Sequence, residues 1–282
     1  MLRVRGQFHE AESLLLEVIA FSPRLAGKDR AQVAAAENFL AALHGDRGDY
    51  QEAESFARKA LSEYQKMSTE RFQVAECQVN LGAILRTTGQ YPEAEHLLQD
   101  GLAMYRQLLG EEHPSVAYAW VHFGQLQYLE GKYREAEVDA RNAVKIYETK
   151  LPKGHGATSS AYTLLGLILN KTGRSAEAEK TLREALAIRT RVLPKGHYFT
   201  ALTQGALGEC LTTQKRYAEA EPILQDSYST MKNVQGEKSP LTLEAVRRLV
   251  TLYQSWGKSE EAARYQAALP QTTAAQTESH TP

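Results

Sequence analysis

Apolar residues recur along this chain at helical spacing, in blocks that start and stop on a fixed schedule. In one block Val74, Ala75, Cys77, Leu81, Ile84 and Leu85 follow a 3.6-residue period, which predicts a helix over 70–87. Gly89 then breaks the pattern, as glycine commonly does just past a helix end. A second stripe, Ala94, Leu97, Leu98, Leu102 and Tyr105, predicts a helix over 91–108. Pro92 suits its first turn, where a missing N–H costs nothing. Glu93 and Glu95 suit the positive end of its dipole. The run Leu109-Gly110-Glu111-Glu112-His113-Pro114 reads as a turn, and the same order of events begins again.

The schedule is marked by the alanine at position 11, which returns at 53, 94, 136, 178, 220 and 262. Around it one phrase recurs: Gly-Gln-Phe-His-Glu-Ala-Glu from Gly6, Gly-Asp-Tyr-Gln-Glu-Ala-Glu from Gly48, Gly-Gln-Tyr-Pro-Glu-Ala-Glu from Gly89 and Gly-Lys-Tyr-Arg-Glu-Ala-Glu from Gly131. Weaker copies begin at Gly173, Lys215 and Gly257. A fixed period of about 42 residues marks a solenoid, in which each unit buries its apolar face only by stacking on the next. The same grammar predicts first helices near 30–45, 70–87, 115–129, 157–171, 199–213 and 241–255. Second helices are predicted near 50–66, 91–108, 133–150, 175–192, 217–234 and 259–268, with one leading helix of the second type over 8–20. The expected fold is all-α: an α-solenoid of antiparallel helix pairs, about 13 helices in a single array over 1–268. Residues 269–282 hold almost no large apolar side chain and are expected to form a disordered tail.

Four glycines share the period, Gly82, Gly124, Gly166 and Gly208, in the middle of first helices. Glycine there costs about 1 kcal/mol against alanine, so its repetition needs a packing reason. The second helix must cross closely at that point, with the recurring alanine facing the glycine. Leu81, Phe123, Leu165 and Leu207 precede the glycines, and Leu98, Leu182 and Leu224 fill space further along the second helices. The core Trp120-Val-His-Phe123-Gly124, followed by the phrase from Gly131, resembles the tetratricopeptide repeat (TPR). The usual TPR unit has about 34 residues. The longer period here, with turns such as Gly110-Glu-Glu-His-Pro-Ser-Val-Ala117, is similar to the kinesin light chain subtype. The resemblance spans residues 6–268.

That resemblance implies a TPR superhelix whose first helices line a concave face. It implies a non-enzymatic interaction scaffold or adaptor that binds a peptide or protein segment along that face. The lining expected from this geometry is Asn38, Asn80, Arg86, Tyr118, His122, Gln125, Thr163, Asn170, Lys171, Glu209, Arg247 and Arg248. Kinesin light chain repeats place asparagine just before the Leu-Gly pair, where it can bond a peptide backbone. Asn80 holds that slot; later units carry His122, Leu164, Ala206 and Arg248 instead. Extended TPR regions also resemble those found downstream of bacterial serine/threonine kinase domains, which makes a regulatory segment of a larger signalling protein the alternative. Met1 lies only a few residues before the first phrase, so the unit at Gly6 lacks its first helix. Either the chain starts inside a longer array, or helix 8–20 caps the pair that follows. Its stripe of Leu14, Leu15, Val18 and Ile19 needs cover, so weak self-assembly through this helix is a further possibility.

Charge and chemistry narrow the picture. With 33 basic and 34 acidic side chains the net charge is −1. No field of one sign is implied, so neither nucleic acid nor membrane is an expected partner. No run approaches the ~20 apolar residues needed to span a bilayer. The first residues are too polar for a signal peptide, so a cytoplasmic location is expected. Cys77 and Cys210 lie three units apart and are expected to be separate buried thiols. His113, His155 and His197 also share the period. Equivalent positions in adjacent units stand roughly 20 Å apart for two interaxial spacings, far beyond zinc-ligand reach, so these histidines are read as turn residues. Glu52, Glu93, Glu135, Glu177 and Glu219 occupy the first turns of second helices, where the dipole explains them. No phosphate loop, metal-ligand cluster or nucleophile motif is present. Neither enzymatic activity nor a cofactor is expected.

Overall fold

A computed structural model describes residues 8–20, 28–67 and 69–270. Among them lie thirteen helices and no strand: α1 (Phe8–Ala20), α2 (Lys28–Arg47), α3 (Tyr50–Gln65), α4 (Arg71–Thr87), α5 (Tyr91–Leu109), α6 (Pro114–Leu129), α7 (Tyr133–Lys150), α8 (Gly156–Lys171), α9 (Ser175–Val192), α10 (Tyr198–Thr213), α11 (Tyr217–Gln235), α12 (Pro240–Trp256) and α13 (Ser259–Gln266). Even-numbered helices are the first of each pair, and odd-numbered helices from α3 onward the second. The expected tail falls almost wholly outside the described residues, which end at Pro270.

Each pair is held by a close crossing. A Cβ added at Gly82 would lie 2.7 Å from Leu98 Cγ, and one at Gly166 or Gly208 would lie 2.5 Å from Cγ of Leu182 or Leu224. The group facing the glycine is therefore mainly the leucine one turn beyond the recurring alanine. The alanine contributes its backbone, with Ala94 O 3.3 Å from the Gly82 position. Two pairs solve the space differently. Opposite Gly124 the leucine slot holds Ala140, and Leu164 of α8 approaches to 3.0 Å instead. In the first pair Leu40 takes the glycine slot and Ala57 the leucine slot, both fully buried. The volume is conserved while the side that supplies it changes.

The core is a continuous stripe rather than a globule. One cluster of buried apolar residues runs from Ala34 to Ala161, a second from Ala136 to Ala262, and Val144 packs against both. Successive first helices touch one another (α2 with α4, α4 with α6, α6 with α8, α8 with α10, α10 with α12), whereas successive second helices make no comparable contact. The layer of first helices is therefore the tighter one, and the array curves with that layer inside. On the outside a periodic ion-pair ladder stitches neighbouring units. From Glu95 onward the second glutamate of each Glu-Ala-Glu meets a basic residue ahead of the next second helix: Glu95 with Lys132 (3.6 Å), Glu137 with Arg174, Glu179 with Arg216 (2.7 Å) and Glu221 with Lys258 (3.3 Å). Such exposed pairs contribute about 0–1 kcal/mol each, so they set register more than stability.

The curve is tight enough to return on itself. The turn between α2 and α3 meets α10, α11 and the start of α12. Tyr198 Oη donates to Asp46 Oδ1 (2.5 Å), and Gln235 Nε2 donates to the carbonyls of Gly45 (3.2 Å) and Asp46 (2.8 Å). Tyr50 Oη and Ser239 Oγ both donate to Gln235 Oε1, at 2.9 and 3.0 Å. Gly48, at φ +86°, backs onto Gln235 so closely that a Cβ would lie 2.6 Å from its carbonyl oxygen. At the other end α1 packs on α2 and leaves Leu14, Leu16 and Val18 exposed.

Candidate functional site

The inner layer brings half of the expected lining residues into one cluster. Asn80 Nδ2 donates to Asn38 Oδ1 (3.0 Å), and Tyr118 Oη donates to Asn80 Oδ1 (2.8 Å). This ladder crosses α2, α4 and α6: Asn38 and Asn80 stand at matching positions of successive first helices, and Tyr118 reaches Asn80 from one turn before the matching residue, His122. The Tyr118 ring meets the His122 ring edge-on at 4.5 Å. Beyond it lie Gln125 and Arg86. Three polar atoms here are shut off from water and have no hydrogen-bond partner: Arg86 Nε, His122 Nδ1 and Gln125 Oε1.

The electrostatics follow from that burial. Burial pushes the His122 imidazole down to about 3, with the Arg86 charge acting in the same direction and Gln125 opposing it. Burial also pulls Arg86 down to about 10, while Tyr50, Tyr91 and Tyr118 support its charge. The cluster thus holds a guanidinium beside a neutral imidazole, surrounded by phenols.

A second cluster forms toward the other end, and it is satisfied internally. Glu209 bonds Lys171 (2.8 Å) and Arg248 Nε (3.0 Å), and Arg248 also approaches Glu244 (3.6 Å). Burial works against the Glu209 charge, but Arg248 and Lys171 outweigh it and hold the carboxyl below its ordinary range. Tyr128, half-buried near Glu209 and Arg248, has its phenol pushed up by that burial and by the Glu209 charge.

The remaining expected residues point elsewhere. Asn170 ties the end of α8 to Thr213 (3.2 Å) and accepts from Ser175 (2.9 Å). Arg247 is exposed and pairs with Glu244 (3.3 Å). Thr163 is buried, bonding Ser159 O (2.7 Å) and Thr203 Oγ1 (3.1 Å). It belongs to a network around Arg189, whose buried guanidinium bonds Ser159 Oγ (3.0 Å), Thr203 Oγ1 (2.7 Å), Ser160 Oγ (3.2 Å) and the Phe199 carbonyl. Tyr50, Tyr91 and Tyr128 were not legible as inner-face residues. They belong to second helices or a first-helix end, and only the curvature turns them inward.

The periodic histidines have a specific role. His113, His155 and His197 are the N-caps of α6, α8 and α10; each Nδ1 accepts from the N–H two residues on, at 3.1, 3.2 and 3.2 Å. A shallow surface depression of about 450 Å³ lies on α9 among Arg183, Leu186, Ala187, Thr190 and Arg191, away from both clusters.

Paired helices on a strict period, a glycine–leucine crossing and a polar inner face define a class. The sequence matches the tetratricopeptide repeat family over residues 1–66, 73–149, 157–233 and 199–268, and the chain belongs to that family. A sequence search of curated proteins gives no match. Among solved structures it is similar to BtubC (BKLC) of P. vanneervenii, with TM-score 0.58 and 19% identity over 82% of this chain and 91% of that one. It is similar to the putative kinesin light chain repeats of Podosopora anserina, with TM-score 0.52 and 20% identity over 74% and 99%. It also resembles the Rap conjugation gene regulator of plasmid pLS20 in complex with the Phr* peptide, with TM-score 0.65 and 18% identity over 86% and 64%. At these identities the likeness is one of fold. Among the described residues no helix is long and apolar enough to cross a membrane, and both cysteines are free and buried.

Proposed function

We propose that the inner face of this array binds a peptide or an extended protein segment, so that the chain acts as an adaptor or scaffold. The observation that carries this reading is the trio of buried, unpartnered atoms on Arg86, His122 and Gln125. A buried polar atom without a partner costs about 1–3 kcal/mol. Three on one face form a site that a segment's carbonyls and N–H groups would complete: Arg86 needs an acceptor, and the neutral imidazole and the amide can each turn a donor or an acceptor to it. The Asn38–Asn80–Tyr118 ladder keeps the neighbouring side chains in place before any partner arrives, which lowers the ordering cost of binding. The structural relative solved with a peptide bound supports the reading by analogy of fold. Recovering partners from a lysate with the wild-type chain and with the Asn80→Ala, His122→Ala double variant tests it. The variant should lose partners that the wild type retains; equal recovery of every partner would move binding to another surface.

A further inference from the structure

The contact between the α2–α3 turn and α10–α12 joins residues 152 to 190 positions apart, yet it is built unlike every other interface in the array. Neighbouring pairs share a continuous apolar core. None of the three clusters of buried apolar residues joins the α2–α3 turn to α10–α12 among the described residues. The seam is held instead by polar bonds: Tyr198 to Asp46, Gln235 to two carbonyls, and Tyr50 to Gln235. Water can replace such bonds at small net cost, whereas parting an apolar core exposes its whole area. The seam is therefore the place where this curved array opens most readily.

The seam also adjoins the polar cluster. Tyr50 donates its hydroxyl across the seam to Gln235, and the same phenol lies in the field of Arg86. A group that engages Arg86 consequently acts beside the bond that closes the ring. Arg86 Nε, His122 Nδ1 and Gln125 Oε1 are cut off from water although they lie on the inner layer.

We propose that this seam is a clasp: it closes the superhelix over the Arg86–His122–Gln125 cluster, and an extended protein segment reaches that cluster when the clasp parts. The proposal rests on the inner face being the binding surface. Its test reads access without any partner, so its failure is distinct from a failed partner recovery.

The test introduces a thiol by Gln125→Cys and labels it with two reagents, a small methanethiosulfonate and a bulky polymer-linked maleimide. Cys77 and Cys210 are fully buried, and burial raises both thiols, so they stay silent. Two backgrounds weaken the clasp from opposite sides. Tyr198→Phe with Gln235→Ala removes its bonds, and Gly48→Ala drives a methyl group into the Gln235 carbonyl. In both, the small and the bulky reagent should label the introduced thiol about tenfold faster than in the intact clasp, while Cys77 and Cys210 stay unlabelled. Equal rates at the introduced thiol in all backgrounds would overturn the clasp. So would labelling of Cys77 and Cys210 alongside it, because that reports general loosening and not a gate.

Discussion

At the scale of the residue, Arg189 shows how one departure from the period recruits its neighbours. Tyr64, Tyr105 and Tyr147 fill the equivalent slot in earlier units and are buried there. The guanidinium that replaces them meets hydroxyls at Ser159 and Thr203, where other units carry Ala117 and Ala161. The charge is buried with neutral acceptors around it, and burial pulls it down to about 10. His122 is a departure of another kind. It stands in the asparagine slot but is driven neutral by burial and by Arg86, down to about 3. An unfolded chain binds a proton on this side chain at about pH 6.5, and the folded chain does not until far lower pH. Stability from this group is therefore present above the unfolded value and lost as pH falls toward the folded one. His122→Asn should flatten the acid limb of the stability curve between about pH 6.5 and 4, measured by urea unfolding at each pH. Parallel curves for the two proteins would exclude a buried neutral imidazole. The capping histidines, by contrast, could be placed in turns from sequence, and only their φ,ψ values and distances revealed the caps.

At the scale of the element, most of the architecture was legible. Helix ends fall within about two residues of the expected bounds because the glycines, prolines and apolar stripes that set them are local signals. The crossing was legible too, except that leucine and not alanine supplies the facing side chain. Sequence spacing alone could not separate two candidates one helical turn apart on the same face. Gly166→Ala adds a methyl group 2.5 Å from Leu182 Cγ. The steric penalty, about 1–3 kcal/mol, should exceed the helix-propensity gain of about 1 kcal/mol. With Leu182→Ala already in place, the same substitution should become neutral or stabilising, as the Leu40–Ala57 pair suggests. A double-mutant cycle by chemical denaturation measures this coupling; an unchanged cost in both backgrounds would mean that another group excludes the side chain.

At the scale of the whole molecule, stability passes from neighbour to neighbour along the stack. Helix α1 rests on α2 and exposes Leu14, Leu16 and Val18, whereas α6 through α9 are covered on both sides. Amide hydrogen exchange should be fastest in α1 and slowest across α6–α9; uniform protection along the array would contradict a nearest-neighbour stack. The sequence by itself determined the period, the helix pairs, their crossing and the family, because each rests on contacts within one unit or between adjacent units that every copy writes again. It also placed Asn38, Asn80, Tyr118, His122, Gln125 and Arg86 on one face. Only the tertiary structure decided that Asp46 and Tyr50 meet Tyr198 and Gln235, and that Tyr50 stands near Arg86 of the inner cluster. The physical reason is that curvature is a sum of small offsets at every interface. No single residue encodes the sum, and closure appears only after several units have added theirs.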